Sequence, residues 1–190
     1  MVAPVERWTA RRVRTLIDET RPWPRYELLA GTLLVTPAPR PAHQAAVGEL
    51  YRRLADFVER TALSASVFLS PADLELVPDT IVQPDLFVAP VAAGATVAEW
   101  RDIRTLLLAV EVVSPSTAQQ DRSTKRRFFT SEAAVSEYWL VDLDARVIER
   151  WTHGDDRPTV HDSRLEWTPA GAGATLTVDL PALFGRVLGL

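Results

Sequence analysis

The sequence predicts an α/β fold in which a mixed β-sheet is flanked by helices, and three observations predict it. Short apolar segments bounded by turn residues recur along the chain, as strands do. Two longer segments, at 42–60 and 118–134, place apolar residues at helical spacing. Strand-like and helical segments are interleaved rather than segregated, which stacks helices on the faces of a sheet. With 190 residues and 47% hydrophobic content, the chain suits one well-cored domain spanning 1–190 and is short for two.

In chain order, residues 9–19 (TARRVRTLIDE) read as a short helix that stops before the proline-rich RPWPRY. YELLAGTLLVTPAP (26–39) contains two β-like runs about Ala30 and Gly31, a hairpin signal that Pro37, Pro39 and Pro41 terminate. Between Ala42 and Arg60, the residues Val47, Leu50, Leu54, Phe57 and Val58 recur at spacings of three and four, so one helix face meets a core. LSASVFLS (63–70), DLELV (73–77), IVQPDLFVA (81–89) and LLLAVEVV (106–113) read as strands. SEYWLVDL and RVIERWTH form a predicted hairpin, and TLTVDL with a short helix closes the chain.

Composition removes several function classes. No run of 18 apolar residues occurs and the first residues lack the apolar core of a signal peptide, so the expectation is a cytoplasmic protein with no membrane contact. Without cysteine there is no disulfide, thiolate metal site or cysteine nucleophile, and any metal is held by oxygen or imidazole. The net charge of −4 neither indicates nor excludes nucleic acid, since a local basic face is compatible with it.

Glu111 is the anomaly. It sits in a run whose other seven residues are Leu, Ala or Val, where an unpaired buried charge costs several kcal/mol or more. A second acid, Asp85, lies within another apolar stretch, either as part of the strand or at a strand end made by Pro84. Thr117 with Gln120 makes a capping box that starts the following helix near residue 118. In that phase 118, 121, 125, 128, 129 and 132 share one face, so Lys125 points coreward with Phe128 and Phe129. Lys125 then lies about 12 Å along the helix and Glu111 about 10 Å before the turn, so the two come level. The alternative is a local i, i+4 pair between Asp121 and Lys125. Two strand acids in a cysteine-free chain fit Mg²⁺ or Mn²⁺ as shared partner. With a lysine nearby, such an ion equips a site for phosphodiester hydrolysis, and Lys125 is expected to face a phosphate rather than a packed core.

Four stretches, QPDLFV, LLLAVEVVSPSTAQQDRSTKRRFF, VSEYWLVD and the earlier YELLAGTLLVTPAPRPAHQ, resemble the Uma-two family of restriction-endonuclease-like proteins. The similarity runs from about Tyr26 to the C-terminal VDLPALF. It implies the PD-(D/E)xK nuclease fold, a mixed sheet flanked by helices, preceded here by the N-terminal helix and hairpin. It implies Asp85 and Glu111 as metal ligands, a metal-dependent endonuclease acting on DNA, and a homodimer. The lysine usual two residues after the glutamate is Val113 here, and Lys125 matches a migrated position on the next helix. Phe129 stands where the family commonly has tyrosine.

Further candidates have two readings each. His43 is a site residue by resemblance or a surface histidine at a helix start. Glu27 and Glu49 either approach the site, as N-terminal acids of related nucleases do, or are solvated on the hairpin and helix. Asp73 leads toward the Asp85 segment, and Asp121 shares the Lys125 face. Arg122, Lys125, Arg126 and Arg127 either face a phosphate backbone or form a solvated helix face. Besides the nuclease, a non-catalytic binding protein of the same fold and, more remotely, a carboxylate-pair glycosidase remain open.

Overall fold

A computed structural model describes residues 7–20, 23–92, 94–114 and 118–190. Helix α1 (Ala10–Thr20) precedes the hairpin β1 (Arg25–Leu29) and β2 (Thr32–Thr36). Its turn is set by positive φ at Ala30 and Gly31, 50° and 77°, the backbone of a two-residue turn that matches strand twist. Helix α2 (Pro41–Arg60) follows, with proline in its first turn, where no amide hydrogen bond is forfeited.

Six strands form the main sheet in the order β3 (Ala65–Leu69), β4 (Leu86–Pro90), β5 (Leu108–Val113), β6 (Glu137–Asp142), β7 (Val147–Thr152) and β8 (Thr159–His161). All neighbours are antiparallel except β5 and β6. A parallel pair needs a crossover, and helix α3, over residues 118–132, supplies it. A two-stranded unit, β9 (Arg164–Trp167) and β10 (Leu176–Asp179), leads into α4 (Leu180–Leu188). The Asp179 side chain caps α4 by accepting the Ala182 amide.

Alternation along the strands splits the core in two. Val88, Val110, Val112 and Trp139 face α2, α4 and β9–β10, meeting Leu50, Leu54, Leu183 and Trp167. Phe87, Ala109, Tyr138 and Leu140 face the other way, against Phe128 and Phe129 of α3 and Leu29 and Leu34 of the hairpin. Each large apolar side chain contributes about 1.5–3 kcal/mol when fully buried. The sandwich of helices on a mixed sheet is therefore the architecture the sequence predicts.

Four expectations change. DLELV is not a strand: Leu74 makes one isolated bridge, to Val82. IVQPDLFVA is extended but paired in pieces, Ile81 with Leu28 and Val82 with Leu74, and the sheet strand begins only at Leu86. Pro84 has no amide to donate, so the strand-end reading holds. β8 and β9 were not anticipated, because TVH and RLEW are too short and polar to signal strands. The helix begun at Ala118 ends at Glu132 and is π-wound over Asp121–Lys125 and Phe128–Glu132. The predicted cap at Thr117 lies outside the described residues.

Candidate active site

The β4–β5 register pairs Leu86 with Val110 and Phe87 with Ala109. One further step sets Asp85 opposite Glu111, where directly opposed residues have Cβ atoms about 5 Å apart. Three donors meet the Asp85 carboxylate. Arg25 Nη2 donates to Oδ1 at 2.8 Å, while the Val112 amide donates to Oδ2 at 3.0 Å and His43 Nε2 lies 2.9 Å from the same oxygen. Burial alone would push this carboxyl up, but His43, Arg25 and the Val112 amide hold it well below the usual aspartate range. Arg25 comes from the start of β1 and His43 from the first turn of α2, so hairpin and helix both converge on the segment that leads into β4.

Lys125 occupies the centre of a second cluster. Its Nζ is 2.7 Å from Glu27 Oε2, 2.9 Å from Glu111 Oε1 and 3.6 Å from Asp121 Oδ1, with all four side chains buried. The π-wound turn keeps Asp121 and Lys125 on the inner face together, in the phase predicted for the helix. Burial opposes a charged lysine, yet Glu111, Glu27 and Asp121 outweigh it and hold the ammonium well above the ordinary lysine range. Burial pushes the Glu111 carboxyl well up; Lys125 opposes this, and Asp85, Asp121 and Glu27 add to it. The directions agree: one lysine stays charged among three acids, and the surplus negative charge falls on Glu111. Tyr138, stacked on Phe129 at 4.8 Å, has a buried hydroxyl whose ionisation is suppressed by burial and then by Glu111 and Asp121.

Asp85 and Glu111 open onto a cavity of about 550 Å³, whose walls include Arg25, Pro37, Arg40 and His43. Among the described residues, no three His, Asp or Glu side chains converge as a ready-made metal cage. The donor chemistry nevertheless fits a hard divalent cation. Four buried acids, Glu27, Asp85, Glu111 and Asp121, face two buried permanent cations, Arg25 and Lys125. The resulting excess of negative charge adds to the effect of burial in raising Glu111, and a divalent cation would relieve it.

Thus Asp85, Glu111, Lys125, His43 and Asp121 are brought together, while Glu49 and Asp73 are not part of the cluster. Glu49 is held on α2 by Arg52 and Arg53, at 2.9 and 2.8 Å. Asp73 accepts from Gln83 Nε2 at 2.7 Å, and the Gln83 backbone amide donates to Glu27 at 2.8 Å. Lys125 was expected to face a phosphate; it is enclosed by carboxylates instead, because three acids compensate its burial better than a partly solvated anion would. The basic stretch of α3 is dispersed rather than presented as a face. Arg122 pairs with Asp142 and Glu149, Arg126 lies over the Trp151 ring at 4.8 Å, and Arg127 pairs with Glu132. Arg25 was missed, and Glu27 is buried rather than solvated. Their signal, an Arg-Tyr-Glu alternation entering the hairpin, puts both charges on the inward face.

A family profile described as "Putative restriction endonuclease", Uma2, matches residues 12–182. A crystal structure of a protein from Anabaena variabilis, described as a putative nuclease belonging to DUF820, is similar in fold. Its TM-score is 0.69 at 17% identity, with 92% of this chain and 98% of that one covered. No match is found among curated proteins. With the profile spanning nearly the whole sequence and the fold in agreement, the chain belongs to the Uma2 family of restriction-endonuclease-type proteins.

Proposed function

We propose that this protein is a metal-dependent endonuclease that hydrolyses DNA phosphodiester bonds at the cavity lined by Asp85 and Glu111. The observation that supports this most directly is the placement of two buried acids, one just before β4 and one in β5, in the wall of one cavity, with an ammonium 2.9 Å from one of them. Mg²⁺ or Mn²⁺ would be held by Asp85 and Glu111 and would supply Lewis-acid activation of a phosphate oxygen and of water. The chain's own residues do the rest. His43 and the Val112 amide fix the orientation of the Asp85 carboxylate. Lys125 fixes Glu111 and is a positioning residue, itself fixed by Glu27 and Asp121. Pro37 and Pro39 contribute apolar surface to the cavity wall.

A second reading, a non-catalytic nuclease-fold binding protein, is favoured by one observation: Arg25 and Lys125 already partner the two acids, so the cluster holds together without chemistry. Cleavage of plasmid and single-stranded DNA with Mg²⁺ or Mn²⁺ separates the two. Nuclease activity abolished by both Asp85→Asn and Glu111→Gln is the expected result; activity that survives either change removes the proposal. A homodimer presenting two such sites to the two strands is expected with it, and sedimentation on DNA tests this.

A further inference from the structure

Arg25 is buried, with a 6% exposed side chain, and lies in the cavity wall beside Asp85. Its guanidinium is loosely engaged for a buried one. Nη2 makes the 2.8 Å bond to Asp85 Oδ1, Nη1 reaches the Gln83 carbonyl only at 3.4 Å, and Nε has no hydrogen-bond partner among the described residues. The plane rests on the Trp23 ring, 5.0 Å from its centroid. A guanidinium has five N–H donors, and most of these are spent poorly or not at all.

Asp85 divides its oxygens. Oδ2 is shared by His43 and the Val112 amide, so Oδ1 is the oxygen with room for a cation, and Arg25 is already there. A divalent ion and a guanidinium on one oxygen repel each other strongly at this depth. If the ion takes Oδ1, Arg25 loses the one ion-pair partner it has among the described residues while still buried, a costly state unless another anion arrives. The anion that suits a planar fork with unused donors at the cavity wall is a phosphodiester.

We propose that Arg25 is a displaceable counter-ion, which holds Asp85 Oδ1 until a divalent cation takes that oxygen and which then receives a phosphate oxygen of the bound strand. This rests on the metal-dependent nuclease reading and adds to it that metal and substrate bind cooperatively, through one side chain with two alternative partners. Lys125 cannot play this part, since three carboxylates enclose it.

The test uses Arg25→Gln, which removes the charge but keeps a hydrogen-bonding group, in the full chain. Mn²⁺ binding is followed by calorimetry, and binding of a fluorescent single-stranded oligonucleotide by anisotropy in Ca²⁺. Opposite signs are expected. Losing a charge-assisted bond that competes with the ion tightens Mn²⁺ about tenfold, while losing the phosphate partner weakens the oligonucleotide about tenfold. Arg25→Lys, the safer variant for folding, keeps the charge without the fork, so Mn²⁺ affinity stays near wild type and oligonucleotide affinity falls. If both affinities fall together in Arg25→Gln, or neither moves, the proposal is overturned. Wild-type protein that takes up no Mn²⁺ overturns the nuclease reading itself; wild type that binds Mn²⁺ with no gain in Arg25→Gln overturns the Arg25 assignment alone.

Discussion

The two ends of the buried charge cluster are built differently. At Asp85 one acid meets a guanidinium, an imidazole and a backbone amide; at Lys125 one cation meets three acids. Donors exceed charge at the first end, so its carboxylate is stabilised in ionised form. Acids exceed cations at the second, so the shortfall appears as a raised Glu111. Neighbouring carboxylates of similar burial are therefore poised differently: Asp85 is held ionised by its donors, and Glu111 is where additional positive charge gains most.

The largest expected break in this comparison is Lys125→Met. It leaves Glu27, Glu111 and Asp121 buried without their cation, and a cost of about 3–5 kcal/mol is expected in urea denaturation, together with loss of nuclease activity. A pair of neutral replacements sharpens the contrast. Asp85→Asn strands Arg25 and is expected to cost about 2–3 kcal/mol at neutral pH, whereas Glu111→Gln, removing a disfavoured charge, stays within about 1 kcal/mol of wild type.

Their pH profiles should also oppose each other. Asp85 titrates lower folded than unfolded, so its stabilisation is present above its unfolded pKa of about 3.9 and is lost as pH falls through the folded value. Glu111 titrates higher folded, so its contribution is complete below about 4.3 and declines as pH rises through the folded value. Stability measured by denaturation from pH 4 upward should fall less in Glu111→Gln than in wild type. His43→Ala removes one donor from Asp85 and is expected to cost about 1.5 kcal/mol with a clear loss of cleavage. Glu49→Gln, on the same helix but outside the cluster, is the smallest: under about 1 kcal/mol and no change in cleavage.

Much of this was legible in the sequence, and the reasons are local. Glu111 stood out because seven apolar neighbours define a strand buried on both sides. Lys125 was placed inward by helical phase, which survived the π winding because Asp121, Lys125, Phe128 and Phe129 remain on the covered face. What those inward groups touch was not legible. Glu27 and Arg25 sit in a hairpin that reads as solvent-facing until the Leu28–Ile81 bridge fastens it onto the strand-end loop. That contact joins positions far apart in the chain and leaves no local pattern. Asp73 looked strand-borne because DLELV alternates, but an alternating run without a full partner strand gives only one bridge. The basic run of α3 left a phosphate-binding face and a solvated helix face both open, and its dispersal depends on acids of β6 and β7 that only the fold brings near.

The winding of α3 has a consequence for how the chain tolerates changes in length. A π turn carries an extra residue relative to an α turn, so the segment Asp121–Lys125 contains slack that a normal helix would lack. Removing exposed Ser123 lets the backbone relax to ordinary winding without breaking the helix. Five residues at π spacing and four at α spacing turn through nearly the same angle, so the C-terminal part of α3 keeps its facing. Asp121 and Lys125 would then stand three residues apart and still on one face, so the buried cluster is expected to tolerate a one-residue deletion at the protein surface.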